Sequence, residues 1–280
     1  MAAKEKINLL EVIPCRSEHI TAEREGETIV LSFPRFKYPW MQRFLVPKGM
    51  SKELHVKLEE HGTAVWELID GKRNVREIIE NYEVDGIHFD DYFYPEDDMK
   101  CDEVDYKKYL STVDENYSPL THTEWRKANI NALISGVYTA IHEIKDNVVF
   151  GISPQCNTEN DEKISADIKS WGSIAGFVDY ICPQIYVSNT HPYLPFKKSA
   201  DEWRKIINNK SVKFYIGLAV YKAGSDSDGG TWLESDEILK NQILYGRSIN
   251  CDGFMLYSYE YLSIDQSSNE VKNAIAMFNN

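Results

Sequence analysis

Val84-Asp85-Gly86-Ile87-His88-Phe89-Asp90-Asp91-Tyr92-Phe93-Tyr94-Pro95 is a short apolar run that starts on an aspartate and breaks into an acidic, aromatic turn. Read as a strand, it sends alternate side chains to opposite faces: Gly86, His88, Asp90 and Tyr92 to one, Ile87, Phe89 and Asp91 to the other. Ile87 and Phe89 suit contact with a layer of helices, which leaves His88, Asp90 and Tyr92 on the far side. Two adjacent carboxylates beside Tyr92 and Tyr94, where a strand ends, are poorly explained by packing. Asp90 is the candidate for chemistry, and Asp91 for holding it in place.

The same grammar continues outward. Apolar strand-like runs at 84–92, 148–153, 178–187, 213–221 and 252–260 alternate with helical stretches near 123–145, 160–174, 198–209, 234–248 and 268–278. Such alternation implies parallel βαβ units. Three strands begin alike, at Val84-Asp85-Gly86, Val178-Asp179-Tyr180 and Cys251-Asp252-Gly253. An aspartate there lies at the N-terminal mouth of a parallel sheet, where support of the fold is the usual role, so Asp85, Asp179 and Asp252 read as structural.

Residues 1–82 follow a different pattern. Thr28-Ile29-Val30-Leu31-Ser32-Phe33 is β-prone, and Leu54, Val56 and Leu58 alternate with polar neighbours. From Thr63 the period becomes helical, with Ala64, Val65, Leu68 and Ile69 in a stripe and Gly71 as a C-terminal cap. Asn74 then caps a second helix carrying Val75, Ile78, Ile79 and Tyr82. Trp66 reads as a packing anchor. The fold class expected is α/β: an incomplete, five-stranded parallel β/α barrel over 83–280, preceded by a small α+β winged-helix-like domain over 1–82.

Composition narrows the function. With 42% apolar residues among 280, the chain can bury a sizeable core. No apolar run approaches the ~18–20 residues of a membrane span, and residues 1–14 lack the apolar core of a secretory signal, so a cytoplasmic location is expected. Residues 1–82 are electrically balanced, so the whole net charge of −13 falls on 83–280. Such a surface repels phosphate backbones and argues against nucleic-acid partners. Five scattered cysteines without a Cys-x-x-Cys pair point to reduced thiols rather than a disulfide framework or a zinc site. The seven histidines show no metal-ligand spacing, the acidic run from Asp97 to Glu103 reads as a solvated loop, and no glycine-rich phosphate loop is present. Ser153 lacks a nucleophile-elbow context. No metal and no cofactor are expected.

Two resemblances extend this reading. The segment Leu58-Glu59-Glu60-His61-Gly62-Thr63-Ala64-Val65-Trp66-Glu67-Leu68-Ile69-Asp70-Gly71, with Val75-Arg76-Glu77-Ile78-Ile79 and the upstream Pro34-Arg35-Phe36-Lys37, resembles the coenzyme PQQ synthesis protein D family over about 8–80. That resemblance implies a leader-peptide-binding module that adds the peptide as a strand at a free sheet edge, at Thr28–Phe33 or Leu54–Leu58.

From 84 onward the chain is similar to the bacterial glycosyl-hydrolase-like barrel family. The similarity rests on 85–95, Trp125-Arg126-Lys127-Ala128-Asn129-Ile130-Asn131, Phe150-Gly151-Ile152-Ser153-Pro154, Asp179-Tyr180-Ile181-Cys182-Pro183-Gln184-Ile185-Tyr186 and Gly253-Phe254-Met255-Leu256-Tyr257-Ser258. It implies action on, or binding of, polysaccharide or peptidoglycan-type glycans. By resemblance to wider barrel glycosidases, Asp90, with basic His88 two residues before it, is the expected nucleophile. Glycoside hydrolysis needs a second carboxyl group. Glu260 at the end of the last strand is the leading acid, with Asp226 and Asp228 as weaker options. Gln184 and Tyr186 are candidates for bonding a sugar hydroxyl or the developing charge; Trp125, Trp171, Trp203 and Trp232 include candidate sugar-stacking platforms, although such rings more often serve core or helix packing. A complete barrel takes ~250 residues, so the first three βα units are missing here. Five strands leave two open edges, to be covered by the N-terminal domain or by a second protomer in a homo-oligomer.

Overall fold

A computed structural model describes residues 11–17, 20–26, 28–34, 53–58, 60–81, 84–90, 93–94 and 100–278. Readings at 35–37, 97–98 and, at the strand end, Asp91 and Tyr92 fall outside the described residues. The chain divides into two compact units, Met1–Val84 and Asp85–Asn280. Among the described residues no helix is long and apolar enough to cross a membrane.

In the first unit, β1 (Thr21–Glu25), β2 (Thr28–Pro34) and β3 (Glu53–Lys57) form an antiparallel sheet in that order. Gly26, at φ +64°, supplies the left-handed turn between β1 and β2. Helices α1 (Glu60–Leu68) and α2 (Val75–Asn81) follow. The expected cap on α2 is reciprocal: the Glu77 amide donates to Asn74 Oδ1 and the Asn74 amide to Glu77 Oε2, each at 2.8 Å. The core is small. Ile29 and Ile78 are its buried apolar side chains among the described residues, with Thr63 Oγ1 accepting the Ile29 amide at 3.1 Å. Trp66 packs under the Arg16 guanidinium, 5.0 Å from the ring centroid. One expectation is corrected here. The Thr28–Pro34 strand is central, its backbone paired on both sides, so it offers no free edge; β1 and β3 are the margins.

The second unit is a five-stranded parallel sheet in sequence order: β4 (Gly86–Asp90), β5 (Val149–Ser153), β6 (Tyr180–Ile181), β7 (Lys213–Ala219) and β8 (Gly253–Tyr257). Helices α3 (Glu103–Leu110), α4 (His122–Ile144), α5 (Thr158–Lys163), α6 (Ile168–Ser173), α7 (Phe196–Ile206), α8 (Ile238–Ser248) and α9 (Ser268–Ile275) connect and follow the strands. The outward side chains Phe150, Ile152, Ile181, Phe214, Ile216 and Leu218 are fully buried, and Phe89 meets Phe150 edge-on at 5.0 Å. Helix α7 answers with Phe196, Ala200 and Trp203 in one buried stripe. The result is half a β/α barrel, with β4 and β8 as its margins.

Two elements are shorter than their apolar runs suggest. The 178–187 run gives a strand of only two residues, because Pro183 has no N–H to continue the ladder; pairing resumes as single bridges from Gln184 to Gln155 and Gly217. The 160–174 stretch divides into α5 and α6 at Ser165, which adopts φ +62°, and Asp167 caps the second piece.

Two of the strand-initial aspartates tie neighbouring strands together. Asp179 Oδ2 accepts the Phe150 amide at 2.7 Å, and Asp252 Oδ2 accepts the Phe214 amide at 2.9 Å while Lys213 Nζ donates to its Oδ1 at 2.9 Å. Asp85 contributes through its backbone carbonyl, which accepts the Val149 amide. Burial pushes the Asp252 carboxyl up, but the Phe214 amide and Lys213 outweigh it and hold the group below the usual carboxylate range. A depressed pKa contributes stability that is present above the unfolded value of ~3.9 and is lost as pH falls through the folded one. The melting temperature is therefore expected to hold between about pH 7 and 5 and to drop below about pH 4. In Asp252→Asn, thermal melts across that range should show a shallower drop.

Candidate active site

Asp90 is the last residue of β4, and the alternation expected from sequence places it with His88 on the concave side, opposite Phe89. Both residues keep solvent access. On the next strand the concave positions are Gly151 and Ser153, in register with His88 and Asp90. Gly151 has a specific purpose. The Tyr180 ring from β6 lies across it, so close that an added Cβ would sit 2.1 Å from Tyr180 Cζ. Through that gap the Tyr180 hydroxyl reaches His88 Nδ1 at 2.8 Å.

Gln184 Nε2 donates to Asp90 Oδ1 at 3.0 Å and to the Ser153 carbonyl at 3.2 Å. Its backbone is pinned by donation to the Pro154 carbonyl and by the bridges to Gln155 and Gly217. Gln184 thus orients the carboxylate. Beyond it stands a wall of tyrosines. Tyr186 stacks on Tyr257 at 5.5 Å and 17°, and Tyr221 meets both edge-on at 5.9 Å. Gly217 lets the Tyr186 ring approach, since a Cβ there would come within 3.1 Å of it. Lys222 Nζ ties this wall together by donating to the Tyr186 carbonyl at 2.9 Å and to both oxygens of Asp228.

Electrostatics separate the groups. Burial lowers the His88 pKa below the usual histidine value, with Asp90 pulling the other way, so the imidazole is neutral at pH 7. Burial pushes the Tyr180 phenol up to about 12, and raises Tyr186 further, with the Asp90 charge among the contributors. Burial also pushes Asp228 up. The hydrogen bonds from Lys222 and from Trp232 Nε1 (2.8 Å) outweigh it, and the carboxyl stays ionised. Asp228 is therefore unsuited to acid work at neutral pH. Asp226 is exposed beside it.

Glu260 is placed differently from the sequence reading. Strand β8 ends at Tyr257, and Glu260 is exposed in the 3-10 turn Tyr259–Leu262. No hydrogen bond or ion pair among the described residues joins it to Asp90. The two start on opposite margins of the sheet, four strand spacings or ~19 Å apart along its arc. The structure brings together Asp90, His88, Gln184 and Tyr186, and adds Tyr180, Tyr221 and Tyr257. Strand alternation through 178–187 carries the signal for Tyr180, which falls on the same face as Gln184 and Tyr186. The packing reading of the tryptophans holds over the sugar-platform one: Trp171, Trp203 and Trp232 are fully buried, and half-buried Trp125 packs against Tyr106, Tyr109 and His122.

Before helix α3, Asp102 holds a buried ion pair with helix α4. Fully buried Arg126 donates Nε to Asp102 Oδ2 and Nη2 to Oδ1, both at 2.7 Å, and His122 Nε2 lies 2.8 Å from the same carboxylate. Tyr94 covers the guanidinium, with Arg126 Cζ 4.4 Å from its ring centroid. Asp102 is thus an ion-pair anchor rather than part of a solvated acidic loop.

The chain is 29% identical to the glycosyl hydrolase YngK of Bacillus subtilis over 208 residues, covering 68% of this chain and 40% of that protein. It is 29% identical to the glycosyl hydrolase DigH of Escherichia coli K12 over 218 residues, covering 70% of this chain and 48% of that one. The chain therefore spans less than half the length of these curated relatives. Among solved structures, the PgaB (BpsB) glycoside hydrolase domain from Bordetella bronchiseptica is similar at a TM-score of 0.45 and 13% identity, covering 85% of this chain and 68% of that one. Residues 65–232 match the family model described as Glycosyl hydrolase-like 10, a match that reaches back across residue 82 into helix α1. With more than half of its residues inside that match, the chain belongs to the Glycosyl hydrolase-like 10 family.

Proposed function

We propose that the Asp85–Asn280 unit hydrolyses polysaccharide or peptidoglycan-type glycan, with Asp90 as the nucleophile; Glu260, on the opposite margin and out of contact with it, is the acid candidate tested separately below. The observation that carries this reading is the setting of Asp90: a carboxylate at a strand's C-terminal end, oriented by Gln184, beside a neutral imidazole and a tyrosine wall. Among the described residues no cation is bonded to it, so its charge is available to a developing oxocarbenium ion. The stacked rings of Tyr186 and Tyr257 are suited to pack against a sugar face.

The test is release of new reducing ends, read by mass spectrometry, when the full chain is incubated with peptidoglycan and with purified polysaccharides. Release that vanishes in Asp90→Asn supports the reading, and binding without any release reduces the unit to a glycan-binding remnant. Glu260→Gln should slow cleavage of natural glycans far more than of aryl glycosides whose leaving group needs no protonation; equal slowing would remove Glu260 as the acid. Gln184→Ala is expected to lower kcat about tenfold with little change in KM, because it frees the carboxylate without touching the sugar wall.

A second reading concerns the N-terminal unit, where every residue of the marginal strand β1 is exposed. That edge suits capture of an extended peptide by strand addition, as a leader-peptide module would do. Titration of candidate leader peptides against the full chain, with a proline introduced at Glu23 to break pairing, tests it; equal binding by both forms would end the idea.

A further inference from the structure

We propose that Tyr180 is a positioning residue whose hydroxyl fixes the tautomer of His88, so that its Nε2–H faces the substrate beside Asp90. What His88 touches rests on the hydrolase reading; the tautomer does not.

The Tyr180 hydroxyl lies 2.8 Å from His88 Nδ1, with the rings 5.8 Å apart and 18° from parallel. Among the described residues that hydroxyl has no other hydrogen-bond partner. A protonated phenol carries one hydrogen, and its available acceptor is Nδ1. Nδ1 is then the lone-pair nitrogen, and the proton of the neutral ring sits on Nε2. Among the described residues Nε2 has no partner, and His88 shares the concave face with Asp90. Burial keeps the phenol protonated and the imidazole neutral, which supports the same assignment.

The geometry depends on one absent side chain. Tyr180 reaches His88 because Gly151 lies between them; a Cβ at 151 would meet the Tyr180 ring at 2.1–2.3 Å. Tyr215 supports the ring from the other side at 5.3 Å. The outcome is a donor, Nε2–H, beside an acceptor carboxylate, an arrangement that suits two neighbouring hydroxyls of one sugar. An imidazolium in the same place would pair with Asp90 and blunt its charge.

The test reads the tautomer directly, by long-range proton–nitrogen correlation on the full chain labelled at histidine, with His88 assigned by the loss of its signals in His88→Gln. In the unaltered chain, Nδ1 should resonate as a hydrogen-bonded acceptor and Nε2 should carry the proton. In Tyr180→Phe the Nδ1 signal should move to that of a free acceptor, with part of the population switching to Nδ1–H. Gly151→Ala should give the same change while both rings are retained. A proton on Nδ1 in the unaltered chain, or a Tyr180→Phe spectrum identical to it, would overturn the proposal. On a cleaved glycan, Tyr180→Phe should lose about ten- to hundredfold in kcat/KM. His88→Gln, which keeps a donor near the Nε2 position, should retain more activity than His88→Asn; the reverse order would also count against it. Because the tautomer is read without substrate, a chain that cleaves no glycan overturns only the hydrolase reading.

Discussion

Asp90→Asn is expected to lower kcat on a cleaved glycan by about a thousandfold, roughly 4 kcal/mol of transition-state stabilisation, while leaving the fold intact. Asparagine keeps the shape of the side chain, and its oxygen still accepts from Gln184 Nε2. What it removes is the negative charge and the nucleophilic oxygen. Since Asp90 is exposed at a strand end, the stability change should stay within about 0.5 kcal/mol, which chemical denaturation would verify. Azide separates the two roles. If Asp90 attacks the sugar, Asp90→Gly supplied with azide should recover turnover and yield a glycosyl azide. Loss of activity without azide rescue would point instead to Asp90 as a base for water or as charge stabilisation, and unchanged turnover in Asp90→Asn would exclude it from the chemistry.

Arg126→Ala is expected to destabilise the barrel unit by about 3–5 kcal/mol. The guanidinium is fully buried and meets Asp102 through two parallel hydrogen bonds, so its removal leaves a carboxylate of 12% side-chain exposure without its cation. Arg126 is the first cause of the depressed Asp102 pKa, so the variant should also lose part of the stability that disappears below about pH 4. Urea unfolding at pH 7 and pH 4 measures both effects. Arg126→Lys should fall between, because an ammonium keeps the charge but cannot make the two-pronged contact. A loss under 1 kcal/mol in Arg126→Ala would show that the anchor is not a fixed part of the folded state.

Much of this architecture is legible along the chain. Ile87 and Phe89 alternate with His88 and Asp90, and that period of two assigns faces before any neighbour is known. Asp179 and Asp252 read as supports from their place at strand starts, and their bonds to Phe150 and Phe214 agree. The tryptophans are harder to read, because a large ring at helical spacing suits a core more often than a sugar but fits both. Trp203 is assigned only when its burial is seen. Gly151 was silent too: what matters is the Tyr180 ring that passes over it, and a missing side chain has no pattern of its own. Glu260 shows the limit of apolar runs as rulers, since the 252–260 run outlasts its strand by three residues and turns away in a 3-10 turn.

By itself the sequence determined the local facts: five strand–helix units, the face that 86–90 turns inward, and a glycosyl-hydrolase-like resemblance from 84 onward. Periodicity and chain order are properties of neighbours, so they survive without coordinates. Which side chains from different strands meet was decided only by the tertiary structure. Gln184 finds Asp90 across 94 residues and Tyr180 finds His88 across 92. Those meetings depend on the register of parallel strands, on a glycine that leaves a gap and on a proline that ends a ladder. Each acts through space, between segments whose separation along the chain carries no information about their distance.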